Sequence, residues 1–255
     1  MNLDEYIASL SELTDATTHI ELDKEKEIVY MLEEKFHFER VLESIPRSAT
    51  SIRILDIGTT PFTIFVKLTY PLYDVWTLDR TELLKERCKV HGIHLRACDL
   101  DDHPPPFDDE YFDLVIFTEV LEHIFAPPRE VLTGIRQILR AGGKLILSVP
   151  NIAALNKRIK LLVGVTPLPH PDLKMRKDWV HGHGHLHEYT MKEIVSVLKA
   201  CGFKIAKKGF LHPKVTDGLR WPGRSLNARL LRAAYHAAQG LWPAFGTQIF
   251  VECHK

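Results

Sequence analysis

The sequence predicts an α/β chain, with a largely parallel sheet covered by helices on both faces. Three observations carry that expectation. From Arg53 onward, apolar runs of four to seven residues alternate with stretches of helical periodicity, as in strands joined by crossover helices. The first run, Ile54-Leu55-Asp56-Ile57-Gly58, ends in Asp-x-Gly. The second, Trp76-Thr77-Leu78-Asp79, ends in an acid 21 positions after Gly58. In an open α/β sheet, ligands sit outside the carboxyl ends of the strands. There the first strand-to-helix turn comes close to the ligand, and an acid closing the second strand can accept from ribose hydroxyls. The pattern therefore implies an adenosine-containing cofactor.

The elements follow in order. Residues 1–50 read as a helical cap: Leu3, Ile7, Leu10 and Leu13 recur at helical spacing, and Glu21 to Leu42 is a long, highly charged stretch with an apolar Ile28, Leu32, Phe36, Val41 stripe. Strands are expected near Ile52–Ile57, Asp74–Leu78, His94–Ala97, Leu114–Phe117 and Lys144–Val149, then Phe203–Phe210 and Thr247–Glu252, with a helix at Met191–Ala200. Two insertions stand out, at about 151–189 and 211–245. The first carries Pro167, Pro169, Pro171 and a histidine cluster; the second carries a basic amphipathic helix expected over Leu226 to Leu241. Insertions over a rigid sheet usually assemble the acceptor side.

Composition narrows the class. The 255 residues suit one α/β domain with insertions. No run approaches the roughly 18 apolar residues of a membrane span. The start, Met1-Asn2-Leu3-Asp4-Glu5, does not read as a signal peptide, so a cytoplasmic location is expected. Cys88, Cys98, Cys201 and Cys253 form no C-x-x-C pair and read as reduced thiols. Net charge is zero, yet residues 1–150 hold 16 Lys+Arg against 27 Asp+Glu, and residues 151–255 hold 17 against 6. That asymmetry points to an anionic ligand or surface facing the second half, including peripheral contact with a membrane; solvated faces are the plainer reading.

Beyond Asp79 the order of motifs becomes specific. Ala97-Cys98-Asp99-Leu100 closes a third strand; Phe112-Asp113-Leu114-Val115-Ile116 runs into Thr118-Glu119-Val120-Leu121-Glu122-His123; and Leu139-Arg140-Ala141-Gly142-Gly143 gives a turn before a fifth strand ending at Pro150-Asn151. From Arg53 to Asn151 this series resembles a class I S-adenosylmethionine (SAM)-dependent methyltransferase. The resemblance implies a seven-stranded Rossmann-like sheet over residues 51–255, with the last two strands as an antiparallel edge. It also implies a cofactor set of Asp56, Gly58, Thr59, Thr60, Asp79, Arg80, Asp99, Leu100, Thr118 and Glu119. In that set Asp56 orients the methionine amino group, Asp79 takes the ribose hydroxyls, and Asp99 with the Leu100 amide reads adenine. The chain departs from the family's Asp-x-Gly-x-Gly-x-Gly: Thr60 and Phe62 replace the second and third glycines. A nicotinamide-dependent dehydrogenase fits less well, because Gly58, Thr60 and Thr63 occupy the three G-x-G-x-x-G positions.

Glu119, Glu122 and His123 are spaced to share one face of a helix after the fourth strand, and His181-Gly182-His183-Gly184-His185-Leu186-His187-Glu188-Tyr189-Thr190 follows later. The combination resembles metal-assisted O-methyltransferases of phenols and of small RNAs. It implies Glu119, Glu122, His123 and His185 as ligands of a divalent metal beside the acceptor oxygen. Without a metal, His123 or His185 is placed as a general base. Helix support and a solvated histidine loop are the bland alternatives. The expected activity is methyl transfer to an oxygen of a small-molecule, saccharide or lipid-linked acceptor. RNA 2′-O-methylation stands second, and a methyltransferase-fold binding module without catalysis third.

Overall fold

The computed structural model describes residues 2–10, 24–168, 185–211, 237 and 241–255. Seven strands form one sheet: β1 (Arg53–Ile57), β2 (Asp74–Asp79), β3 (His94–Ala97), β4 (Phe112–Thr118), β5 (Leu139–Pro150), β6 (Lys204–Leu211) and β7 (Gln248–His254). Their order is β3-β2-β1-β4-β5-β7-β6, with β1 to β5 parallel and β7 antiparallel to both β5 and β6. The order reverses between β1 and β4. Ile57 lies opposite both Leu78 and Phe117, so the residues just beyond β1, β2 and β4 emerge along one edge of the sheet.

The central strands are apolar on both faces because both faces are covered. Ile54, Leu114 and Ile116 join one core with Phe62, Phe65, Phe38, Val41 and Tyr6. The alternate residues Leu55, Ile57, Val115 and Phe117 join the other with Leu132, Ile135, Ile194 and Leu198. The expected strands are all present, most with ends shifted by one or two residues. The larger difference is β5, which begins at Leu139 rather than near Lys144, because Leu139 pairs with Phe112 across a register shift and the Gly142-Gly143 turn lies inside the strand.

The helices are α1 (Leu3–Leu10), α2 (Lys24–Glu33), α3 (Lys35–Ser44), α4 (Pro61–Thr69), α5 (Lys85–Val90), α6 (Pro128–Ile138), α7 (Leu155–Leu162) and α8 (Met191–Ala200). Within the helical stretch expected from Glu21 to Leu42, the described residues form two helices, α2 and α3, which meet at Glu34 (φ −91°, ψ 5°). Of the expected stripe, Val41 is buried and Ile28 and Phe36 pack against the core, but Leu32 is 53% exposed, and Met31 and Phe38 are buried alongside. Residues Glu21 to Asp23, most of Leu226 to Leu241, and His181 and His183 lie outside the described residues. Among the described residues no helix is long and apolar enough to cross a membrane.

The cap explains the departures from the glycine pattern. Thr60 is the N-cap of α4: its Oγ1 accepts from the Phe62 amide at 3.2 Å, and Thr63 Oγ1 accepts from the Thr60 amide at 3.1 Å. Pro61 takes the first helical position, where its missing N–H is not needed. The Phe62 ring stacks on Phe38 of α3 at 4.3 Å, and the Tyr6 hydroxyl of α1 donates to the Pro61 carbonyl at 2.9 Å. A cap residue and a core aromatic thus stand where glycines were expected, and both tie the turn to the helices above it. Phe62→Ala is expected to lower stability by about 3–5 kcal/mol in denaturant unfolding, through lost burial and stacking. A loss below about 1 kcal/mol would show that the ring does not anchor the cap.

Candidate active site

Gly58 begins the site. Its φ of +94° suits glycine, and a Cβ there would stand 2.9 Å from Val120 Cγ2, so the turns after β1 and β4 approach at a distance no other side chain permits. The Gly58 amide donates to the Leu78 carbonyl at 2.9 Å. The Thr59 amide donates to Asp79 Oδ2 at 3.0 Å, and the Thr81 amide to Asp79 Oδ1 at 3.3 Å. Asp79 therefore braces the first two turns, and an ionised carboxylate keeps further lone pairs for a ligand. Thr59 and Thr77 join hydroxyls at 2.9 Å, and Thr77 Oγ1 donates to the Asp56 carbonyl at 3.0 Å. Arg80 pairs with Asp99 (Nε to Oδ2, 3.0 Å) and with Asp101 (2.9 Å); Asp101 in turn accepts from the Phe125 and Ala126 amides. This links the ends of β2 and β3 to the loop after β4, with Leu100 between the two acids.

Asp56 is buried, and desolvation pushes its carboxyl up to about 7 despite the hydrogen bond from Thr63 Oγ1 at 2.6 Å. Thr118 ends β4 opposite Ser148. Glu119 follows at φ +55°, a conformation rare outside glycine, and its amide donates to the Ser148 carbonyl. Its carboxylate accepts from Ser148 Oγ at 2.8 Å; surrounding protein, then the Glu34 carboxylate, push it up to about 8. Glu34 is also raised by burial and accepts from Gln248 Nε2 at 3.1 Å. His37 lies 3.5 Å from Ser148 Oγ, and burial pushes its imidazole down to about 4.

The positive φ corrects one expectation. Glu119, Glu122 and His123 do not share a helix face, because Glu119 precedes a three-residue 3-10 turn, Leu121–His123. Glu119 faces Ser148, whereas Glu122 faces the histidines. The Leu186 amide donates to the Glu122 carbonyl at 2.7 Å, which seats His185 beside that turn. His123 and His185 stack edge to face at 5.1 Å. Glu122 Oε1 lies 3.8 Å from His123 Nε2 and 4.0 Å from His185 Nε2, and one ligand-type atom from each residue lies within 4.8 Å of the others. Glu122 is 1% exposed, and neither carboxylate oxygen has a hydrogen-bond partner among the described residues. Burial and then Glu119 raise its carboxyl well above the usual range. Three of the four residues expected as metal ligands thus meet, and Glu119 stands apart.

A family described as a methyltransferase domain matches residues 31–208. The chain belongs to that family. It is a SAM-dependent methyltransferase, with SAM as its cofactor. No curated protein matches it. Its fold is similar to that of a SAM-dependent methyltransferase from Archaeoglobus fulgidus (17% identity, TM-score 0.57, 89% of this chain and 99% of the other). A methyltransferase from Mesorhizobium loti is similar to the same degree (16%, 0.58, 88% and 100%). So is a Thermotoga maritima protein described as a possible histamine N-methyltransferase (15%, 0.56, 91% and 95%).

Several residues of the methyltransferase's site escaped the motif reading: Glu34, His37, Ser148, Gln248, Lys157 and Glu188. Only Glu188 had a local signal, lying within the histidine-rich motif; Glu34 and His37 reach the site through the cap, Ser148 and Gln248 through β5 and β7, and Lys157 through α7. His185 Nδ1 is 2.8 Å from Glu188 Oε1, and Lys157 of α7 pairs with the other oxygen. Burial works against the Glu188 charge, but these partners outweigh it and hold the carboxyl below its usual range.

The raised carboxyls fix a pH trend. Folded Glu119 keeps its proton to about pH 8, whereas unfolded glutamate loses it near 4.5. Across that window the folded state holds the extra proton, so stability falls as pH rises, and Glu122, raised by burial, adds to the same trend. Asp56 adds the same trend up to about 7. His37 opposes it only between about 4 and 6.5. Melting temperature should therefore fall from pH 6.5 to 8, and Glu119→Gln should shrink that fall. A variant profile parallel to wild type would show that Glu119 is not the raised group.

Proposed function

We propose that the methyltransferase acts on an oxygen of a small-molecule, saccharide or lipid-linked acceptor, and that Glu122, His123 and His185 form the acceptor site and hold a divalent cation there. The observation that carries this reading is Glu122. A buried carboxylate with no hydrogen-bond partner among the described residues is costly unless it is protonated or meets a cation. Two imidazole nitrogens converge on it at 3.8 and 4.0 Å. A donor set of two imidazoles and one carboxylate suits Zn²⁺, Fe²⁺ or Mn²⁺ better than the all-oxygen preference of Mg²⁺. A cation bound there would lower the pKa of an acceptor hydroxyl and orient it.

The chain's own residues supply the rest. Asp56 and Glu119 face the amino-acid end of SAM, Asp79 the ribose, and Asp99 with the Leu100 amide the adenine, while the cap helices keep water from the transfer. SAM, when bound, would supply a sulfonium-activated methyl group and leave as S-adenosylhomocysteine, with the acceptor proton passing to water from a cation-held hydroxyl. The sulfonium is already activated, so alignment is the main demand. The His185–Glu188 bond also favours a second reading, in which His185 Nε2 takes the acceptor proton without a cation.

A lipid-linked acceptor draws support from α7 and the turn after it, which expose Leu161, Leu162 and Val163 beside Arg158 and Lys160. That surface suits peripheral contact with a membrane from the cytoplasmic side. RNA is less favoured, because the chain has zero net charge and no recognisable RNA module. The reading as a catalytically silent binding module loses its motive, since Thr60 and Phe62 are accounted for by the cap of α4 and its packing.

The test is methylation of a panel of hydroxylated acceptors, before and after chelation and with Mn²⁺ or Zn²⁺ restored. Asp79→Ala should weaken SAM binding at least about 10-fold, through loss of charge-assisted hydrogen bonds. His185→Ala should spare SAM binding and cut turnover by about 10²-fold or more. Undiminished turnover in His185→Ala would refute the acceptor-site placement. Full activity after exhaustive chelation would remove the cation and leave His185 as the base.

A further inference from the structure

Glu188 is buried in the segment that carries His185, and its two carboxylate oxygens are divided between two partners. Oε1 meets His185 Nδ1 at 2.8 Å, and Oε2 takes Lys157 Nζ from α7. An ionised carboxylate only accepts, and an ammonium only donates. Glu188 therefore requires a hydrogen on His185 Nδ1. A neutral imidazole with hydrogen on Nδ1 carries its lone pair on Nε2, the nitrogen 4.0 Å from Glu122 Oε1 and across from His123.

We propose that Glu188, anchored by Lys157, is a positioning residue that fixes the ring and tautomer of His185 so that Nε2 presents a lone pair to the acceptor site. This rests on the reading above, that Glu122, His123 and His185 hold a divalent cation. Lys157 also gives the α7 insertion a role in the site: it holds the Glu188 carboxylate from the side away from the imidazole.

The geometry makes an unusual variant informative. In Glu188→Gln the shape is kept, but Lys157 still needs an acceptor, so the amide oxygen turns to Lys157 and the amide NH₂ faces His185 Nδ1. That nitrogen must then accept, the hydrogen moves to Nε2, and the lone pair is lost from the site, as in a catalytic triad whose aspartate becomes asparagine. Replacing Lys157 as well, in Lys157→Met/Glu188→Gln, frees the amide to turn round and present its oxygen to Nδ1. A salt bridge with a purely structural role predicts the opposite, since two losses should then be no better than one.

The experiment is calorimetric titration of each SAM-loaded protein with Mn²⁺ alone, with SAM affinity and melting temperature recorded alongside. His185→Ala marks the effect of losing the ligand. Glu188→Gln should bind Mn²⁺ about 10-fold or more weakly than wild type, as loss of an outer partner of a ligating histidine typically does, while SAM affinity is unchanged. The double variant should recover to within about 3-fold of wild type, since the partner on Nδ1 is restored. Wild-type affinity in Glu188→Gln, or a double variant no tighter than the single one, would overturn the positioning role and leave the cation reading standing. If wild type fails to bind Mn²⁺, or His185→Ala binds it equally well, the cation reading itself falls and this inference falls with it.

Discussion

Carboxyl groups crowded into a protein interior are the constraint on which the rest of this structure depends. Asp56, Glu119 and Glu122 gather at the carboxyl ends of β1 and β4, and Glu34 is set against them from the break between α2 and α3. Burial raises each of them above the usual carboxylate range, Asp56 to about 7 and Glu119 to about 8. An apolar filling would be more stable than such a cluster, because ionised groups are costly to desolvate and like charges repel. The arrangement is reasonable if the site takes up positive charge. SAM brings an ammonium and a sulfonium, and a divalent cation beside Glu122 would bring more.

The crowding also explains why the cap is tied down so closely. Tyr6, Phe38, Phe62 and Phe65 form a continuous aromatic layer between α1, α3 and α4, and the same helices present Glu34 and His37 to the site. Cap and turn are one packed unit. A more glycine-rich turn could approach a ligand closely without help. Here the approach is made by Gly58 alone, and Thr60 and Phe62 stabilise the helix that follows.

Much of the sheet was legible in the sequence, because a half-buried or buried strand declares itself through a period of two or an unbroken apolar run. The pairing of Gly58 with Asp79 was legible for the same reason: both close strands whose ends the topology must bring together. What was not legible depends on backbone conformations and contacts that no spacing encodes. The i, i+3, i+4 pattern at Glu119, Glu122 and His123 suggested a shared helix face, but the positive φ at Glu119 sends its carboxylate to Ser148 and separates it from the histidines. In the charged stretch after Glu21 the spacing put Leu32 in the apolar stripe, but with the break at Glu34 Leu32 is exposed and Met31 and Phe38 are buried. Lys157 lies 31 positions from Glu188, and no spacing in the sequence ties it to the carboxylate it pairs with.

The family accounts for the methyl donor; the acceptor site proposed above lies around Glu122. The most direct measurement is calorimetric titration with SAM at pH 7 in two buffers of different ionisation enthalpy, which reads the protons exchanged on binding. With Asp56 near 7 and Glu119 near 8 before binding, the positive ligand should ionise both more fully, and the account predicts a net release of protons into the buffer. SAM binding with no proton exchange, or with proton uptake, would contradict the claim that these buried carboxyls await a cationic cofactor.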